Sequence, residues 1–99
     1  MKIFKHNVQF EGFNCTLLKG EYQEGGTALQ LVDAQDDDPV ATATLFLPEV
    51  HLEKDEIIIK SYSENEGMME ALMIQGVIGG PIESIPIGMV VVTKHKLLI

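Results

Sequence analysis

Carboxylates dominate the side chains of this 99-residue sequence that could do chemistry. Thirteen of its fifteen Asp and Glu fall within residues 21–70, against Lys54 and Lys60 alone, so that stretch carries two positive and thirteen negative charges, a net −11. The flanks are mildly basic, with Lys2, Lys5 and Lys19 against Glu11 and with Lys94 and Lys96 against Glu83. Carboxylates in such number can hold a hard cation, move a proton, or attract a basic surface. The run Asp36-Asp37-Asp38 offers hard oxygen ligands. It lacks the spaced ligands, turn glycine and closing glutamate of a calcium loop, and reads as a solvated turn. His6, His51 and His95 show none of the spacings that mark a metal site, so no metal or cofactor is expected. Proton transfer needs a carboxyl whose pKa is raised, normally in a cleft. Glu64, Glu66 and Glu70 lie near Tyr62, but Glu66 is accounted for by a helix cap and Glu70 by a solvent-facing position. No catalytic residue is assigned.

Nucleophiles add nothing stronger. Ser61, Ser63 and Ser84 sit in no nucleophile-elbow pattern. Cys15 is the sole cysteine, which excludes an internal disulfide, and it lies in the alternating stretch Phe13-Asn14-Cys15-Thr16-Leu17, as a buried small hydrophobe would. The glycine pairs at 25–26 and 79–80 belong to no phosphate-loop motif. The chain has no arginine and only seven scattered lysines, which argues against direct nucleic-acid binding. Attraction of a basic partner is what remains. Asp36, Asp37, Asp38, Glu53, Asp55 and Glu56 would steer it, and Tyr62 with exposed methionines would supply contact area.

The elements that position these residues are mostly strands. Phe4, Val8 and Phe10 keep even spacing, Glu11-Gly12 offers a turn, and Phe13, Cys15 and Leu17 resume the period of two. Glu24-Gly25-Gly26 breaks the chain before residues 27–34, in which Leu29 and Leu31 mark one face. A hairpin through residues 35–39 leads to a strand over residues 40–47, closed by Pro48. Ile57-Ile58-Ile59 is a short strand. Ser63 and Glu66 form an S-x-x-E capping box ahead of one helix, with Met68, Met69, Leu72 and Met73 as its apolar stripe, widened by Ala71 and Ile74. Gly76 stands where the helix would stop in the left-handed conformation. Pro81 and Pro86 interrupt the stretch before Gly88, and Met89-Val90-Val91-Val92 reads as a strand that is central or covered on both sides. The pattern predicts a single α+β domain over residues 1–99, a small antiparallel sheet with one helix packed on a face. No signal peptide or membrane span is evident, so a cytoplasmic location is expected.

The run Lys60-Ser61-Tyr62-Ser63-Glu64-Asn65-Glu66-Gly67-Met68, with Leu72, Gly76-Val77-Ile78 and Ile85-Pro86-Ile87-Gly88 after it, resembles a family of small domains found in bacteria, phages and other mobile elements. That family has no assigned activity, so the resemblance carries over no catalytic positions. It singles out Tyr62, Asn65 and Glu66, with Tyr62 and Asn65 as expected protein-binding residues, and it implies a host-directed accessory role. The combined expectation is a macromolecule-binding accessory or inhibitor, whose acidic face meets a basic nucleic-acid-handling or defence protein. Two other readings stand beside it: a structural homo-oligomer with no basic partner, and a small enzyme with a carboxylate-based pocket.

Overall fold

The computed structural model describes residues 2–99, with the side chains of residues 4–6 excepted; the readings made for Phe4 and His6 as side chains lie outside the described residues. In chain order the elements are β1 (Lys2–Phe10), β2 (Phe13–Glu21), β3 (Thr27–Asp33), β4 (Pro39–Thr42), β5 (Glu56–Lys60), α1 (Met68–Ile74), β6 (Ile78–Ile87) and β7 (Val90–Leu97). All strand pairs are antiparallel, in a four-stranded sheet ordered β1-β2-β3-β4 and a three-stranded sheet ordered β5-β7-β6. This is the α+β class expected. The two sheets are stitched together just after β4. The Ala43 amide donates to the Leu29 carbonyl, while the Lys60 and Leu45 amides bond the carbonyls of Ala43 and Ile58 respectively. Thr44 bridges Ile59.

Helix α1 packs against β1, β5 and β6, and so touches one outer strand of the first sheet and both of the second. Val8, Cys15, Leu17, Leu29, Leu31, Ile57, Ile59, Met68 and Leu72 share one core with it. A seven-residue helix would not persist alone in water. Burial of Met68 and Leu72, at roughly 1.5–3 kcal/mol each, is what holds it. Met73 and Ile74 point outward instead, at 39% and 80% exposure, so the buried stripe is narrower than the sequence predicted.

The helix also starts differently. The expected capping box does not form: Ser63 adopts φ 53° inside a 3-10 turn (Ser63–Asn65), and Gly67 is the residue preceding α1, at φ 89°. The cap comes from outside the helix, where Ser61 Oγ accepts the Met69 amide at 2.9 Å. Gly67 is there for its left-handed backbone, since an added Cβ would meet nothing within 4 Å. The C-terminal end follows expectation. Gly76, at φ 72°, donates to the Met73 carbonyl and Val77 to that of Leu72, a Schellman stop with Leu72 and Val77 both buried.

Two strand expectations change. The strand predicted over residues 40–47 ends at Thr42, because Thr44 leaves β3 to bridge β5. Conversely, the proline-interrupted stretch is a ten-residue strand, β6. Prolines fit there because β6 is an edge strand and its register shifts on both sides of Pro81. β7 is the central strand of its sheet, one of the two readings made for it, but it is not covered on both faces, since Val91 is exposed. Among the described residues, no helix is long and apolar enough to cross a membrane.

Candidate functional site

A groove of about 870 Å3 opens where the β2–β3 turn, the segment after β4 and the start of β5 meet. Its wall follows from the change of partner after β4. Once Thr44 has crossed to β5, the next three residues lie alongside that strand without a full ladder, and Leu45, Phe46 and Leu47 are each left half-buried. Thr44 itself is 2% exposed, and its Oγ1 accepts the Leu29 amide at 3.1 Å. The Tyr22 hydroxyl lies 2.8 Å from the same Oγ1. This turns the phenol tip inward and leaves the ring to line the groove. The Tyr22 and Phe46 rings stand 5.5 Å apart at 43°, within the range of a favourable tilted pair.

The rim is acidic. Glu21, Glu24, Glu53 and Glu56 line the groove against Lys54 alone. The Glu56 carboxylate is pre-engaged: it accepts the Glu53 amide at 3.0 Å and faces Lys94 Nζ at 3.9 Å. Lys94 also pairs with Glu83 at 3.1 Å, and Lys96 with Asp55 at 3.4 Å. Glu53 keeps 70% of its side chain in water, near His51 at 3.7 Å.

The sequence-predicted site residues therefore divide. Glu53 and Glu56 belong to the groove, and Asp55 is beside it in an ion pair with β7. Asp36, Asp37 and Asp38 are exposed in the β3–β4 turn. The groove meets β3 at Thr27, whereas that turn follows Asp33, six residues or roughly 20 Å along the strand. The acids thus do not converge on one spot. The turn also uses its own carboxylates: Asp33 Oδ1 accepts the Gln35 amide and Asp36 Oδ1 that of Asp38. Tyr62 is half-buried just beyond the far end of β5.

Asn65 is 2% exposed, which takes it out of any contact surface. Its Nδ2 donates to the carbonyls of Thr42 and Lys60 at 2.7 and 3.2 Å, tying the ends of β4 and β5 together. Sequence reasoning missed Tyr22, Phe46 and the rim residues Glu21 and Glu24. Tyr22 did carry a signal, as an aromatic next to the Glu24-Gly25-Gly26 break. The role of Phe46 depends on the strand exchange at Thr44, which has no local signature.

Two buried groups complete the inventory of reactive side chains. Cys15 is fully buried; burial raises its thiol pKa above the ordinary 9.0, and the facing Asp33 carboxylate adds to the rise. His95 is also fully buried, with Nδ1 2.8 Å from the Gly79 carbonyl. A carbonyl only accepts, so Nδ1 carries hydrogen, and Nε2 lies 2.7 Å from the Thr93 hydroxyl, which leaves neither ring nitrogen without a partner. Among the described residues, no three His, Cys, Asp or Glu side chains converge as a metal site would require. Comparison with known protein families, with curated proteins and with solved structures finds no match to this chain.

Proposed function

We propose that this chain is a protein-binding module whose groove takes an extended segment of a basic partner. Apolar side chains of that segment would lie on the Leu45, Phe46 and Leu47 wall, and its cations would lie toward the glutamate rim. The observation that carries the reading is the combination, in one groove, of a half-buried apolar wall with four glutamates against one lysine. Charge of one sign at the mouth of a low-dielectric cleft raises the on-rate of the oppositely charged partner. Basic segments of this kind are what nucleic-acid-handling proteins present to phosphates, and a protein of that class is the partner placed first. The Asp36, Asp37 and Asp38 turn, at the other end of β3, contributes long-range field only.

The test is fluorescence anisotropy with a labelled eight-residue Lys-Leu alternating peptide and its Glu-Leu counterpart, at low and high salt. The basic peptide is expected to bind, more weakly as salt rises, and the acidic one not to bind. E24Q/E53Q should weaken binding more than the triple variant D36N/D37N/D38N, although the latter removes more charge. Equal losses per charge removed would mean unspecific attraction to an acidic protein and would sink the groove reading.

A further inference from the structure

We propose that the cation selected by this groove is a guanidinium, an arginine side chain of the bound segment, in preference to an ammonium. This rests on the groove reading above and adds a chemical identity to it. Three features of the groove converge on a planar, weakly hydrated cation.

The first is the aromatic pair. Tyr22 has its hydroxyl engaged by Thr44, so what it offers a ligand is ring surface, and the half-buried Phe46 ring lies beside it. Guanidinium stacks on such faces, whereas an ammonium keeps its water more tightly. The second is the placement of the solvent-facing carboxylates, of which Glu53 has the exposed His51 ring 3.7 Å away. Glu56 is held by Lys94 and the Glu53 amide, which leaves Glu21 and Glu24 on the β2 side of the groove and Glu53 on the β5 side. A guanidinium lying on the rings can donate from its edges to carboxylates while its faces stay in apolar contact; the five donors of its fork suit bidentate pairing. The third is the apolar wall. Leu45 and Leu47 line the same groove as Phe46, and apolar surroundings favour the more weakly hydrated cation. Lys54 on the same rim opposes any cation and makes no distinction between the two.

Three labelled peptides of one apolar sequence, differing only at a central arginine, lysine or citrulline, test this by anisotropy at about 0.15 M salt, where remote charges are largely screened. Arginine is expected to bind about tenfold more tightly than lysine, the scale of a partly desolvated cation–π contact, and citrulline more weakly than either. F46L keeps an apolar wall without the ring. It should bind both cationic peptides with the arginine preference reduced, since the Tyr22 ring and the carboxylates remain, and circular dichroism would verify that the variant folds. Equal affinity for arginine and lysine in the unaltered protein overturns the guanidinium assignment and leaves the groove reading standing. Citrulline binding as well as arginine overturns it too, because charge is then not what is read. Failure of all three peptides to bind overturns both.

Discussion

Asn65 and Glu66 are adjacent in the chain and were both singled out by the same motif, yet the fold uses them in opposite ways. Asn65 is buried and gives both amide hydrogens to carbonyls of Thr42 and Lys60. Glu66 is exposed. A carboxamide can meet two carbonyls because its nitrogen has two donors; an aspartate there would have none. Asn65→Ala leaves those acceptors short of a partner, and the expected cost is about 1–3 kcal/mol, read as a fall in the urea midpoint with unchanged slope. A change below a few tenths of a kcal/mol would mean that water replaces the amide without penalty and that the staple is incidental. Nothing in the sequence distinguishes this asparagine from a surface one. Its partners are 23 and five residues away, and only the meeting of β4 with β5 brings them together.

The helix entry is where local pattern and tertiary structure compete most openly. Ser63 and Glu66 have the spacing of a capping box, and in an isolated peptide that box would be the best available cap. In the protein, the Asn65 staple draws the chain into a 3-10 turn with Ser63 at positive φ, and the helix restarts after Gly67 under a cap from Ser61. Ser61→Ala is therefore expected to cost about 1 kcal/mol, in line with loss of a helix cap. Ser63→Ala and Glu66→Ala should each stay within about 0.5 kcal/mol, as surface changes do. Thermal or urea denaturation of the three variants decides the matter; the reverse ranking would restore the capping box. β2 and β3, with alternate apolar residues, and β5, with its run of three isoleucines, were legible because Cys15, Leu17, Leu29, Leu31, Ile57 and Ile59 are buried in the common core, and so was the Gly76 stop, which needs only its own backbone. The length of the strand after residue 40 was not legible, since Thr44 changes partners there while Ala41, Ala43, Leu45 and Leu47 keep the period of two.

Of the four strands that end the two sheets, β4 and β5 are short and β1 and β6 are long, and a long open edge invites pairing with another copy. β1 is bent by two register shifts around Lys5, with Asn7 at φ 63°, a distortion that spoils it as a template. β6 carries Pro81 and Pro86 instead. The position of Pro86 can be worked out from the hairpin. Ile87 pairs Val90 across the two-residue turn Gly88-Met89, and a closing pair of that kind exchanges hydrogen bonds between the strands. The next pair, Pro86 with Val91, then belongs to the alternate kind, whose backbone groups point away from the partner strand. Pro86 thus removes a donor from the free edge and none from the ladder to β7. This matters because the same hairpin exposes Ile82, Met89 and Val91, apolar surface that would otherwise reward pairing. Pro86→Thr restores the edge donor while keeping a residue suited to a strand. In a two-fold pairing of β6 with its copy the donor is regained twice, so at ~0.5–1.5 kcal/mol per hydrogen bond the association constant should rise roughly 5- to 150-fold. Light scattering across a concentration series reads this directly as a rise in mean mass for the variant at concentrations where the unaltered protein shows none. If the variant's mass matches the parent's throughout, the prolines are not what protects this edge. A parent that already pairs at the lowest concentration would instead favour the homo-oligomeric reading, with the β6–β7 hairpin as its contact.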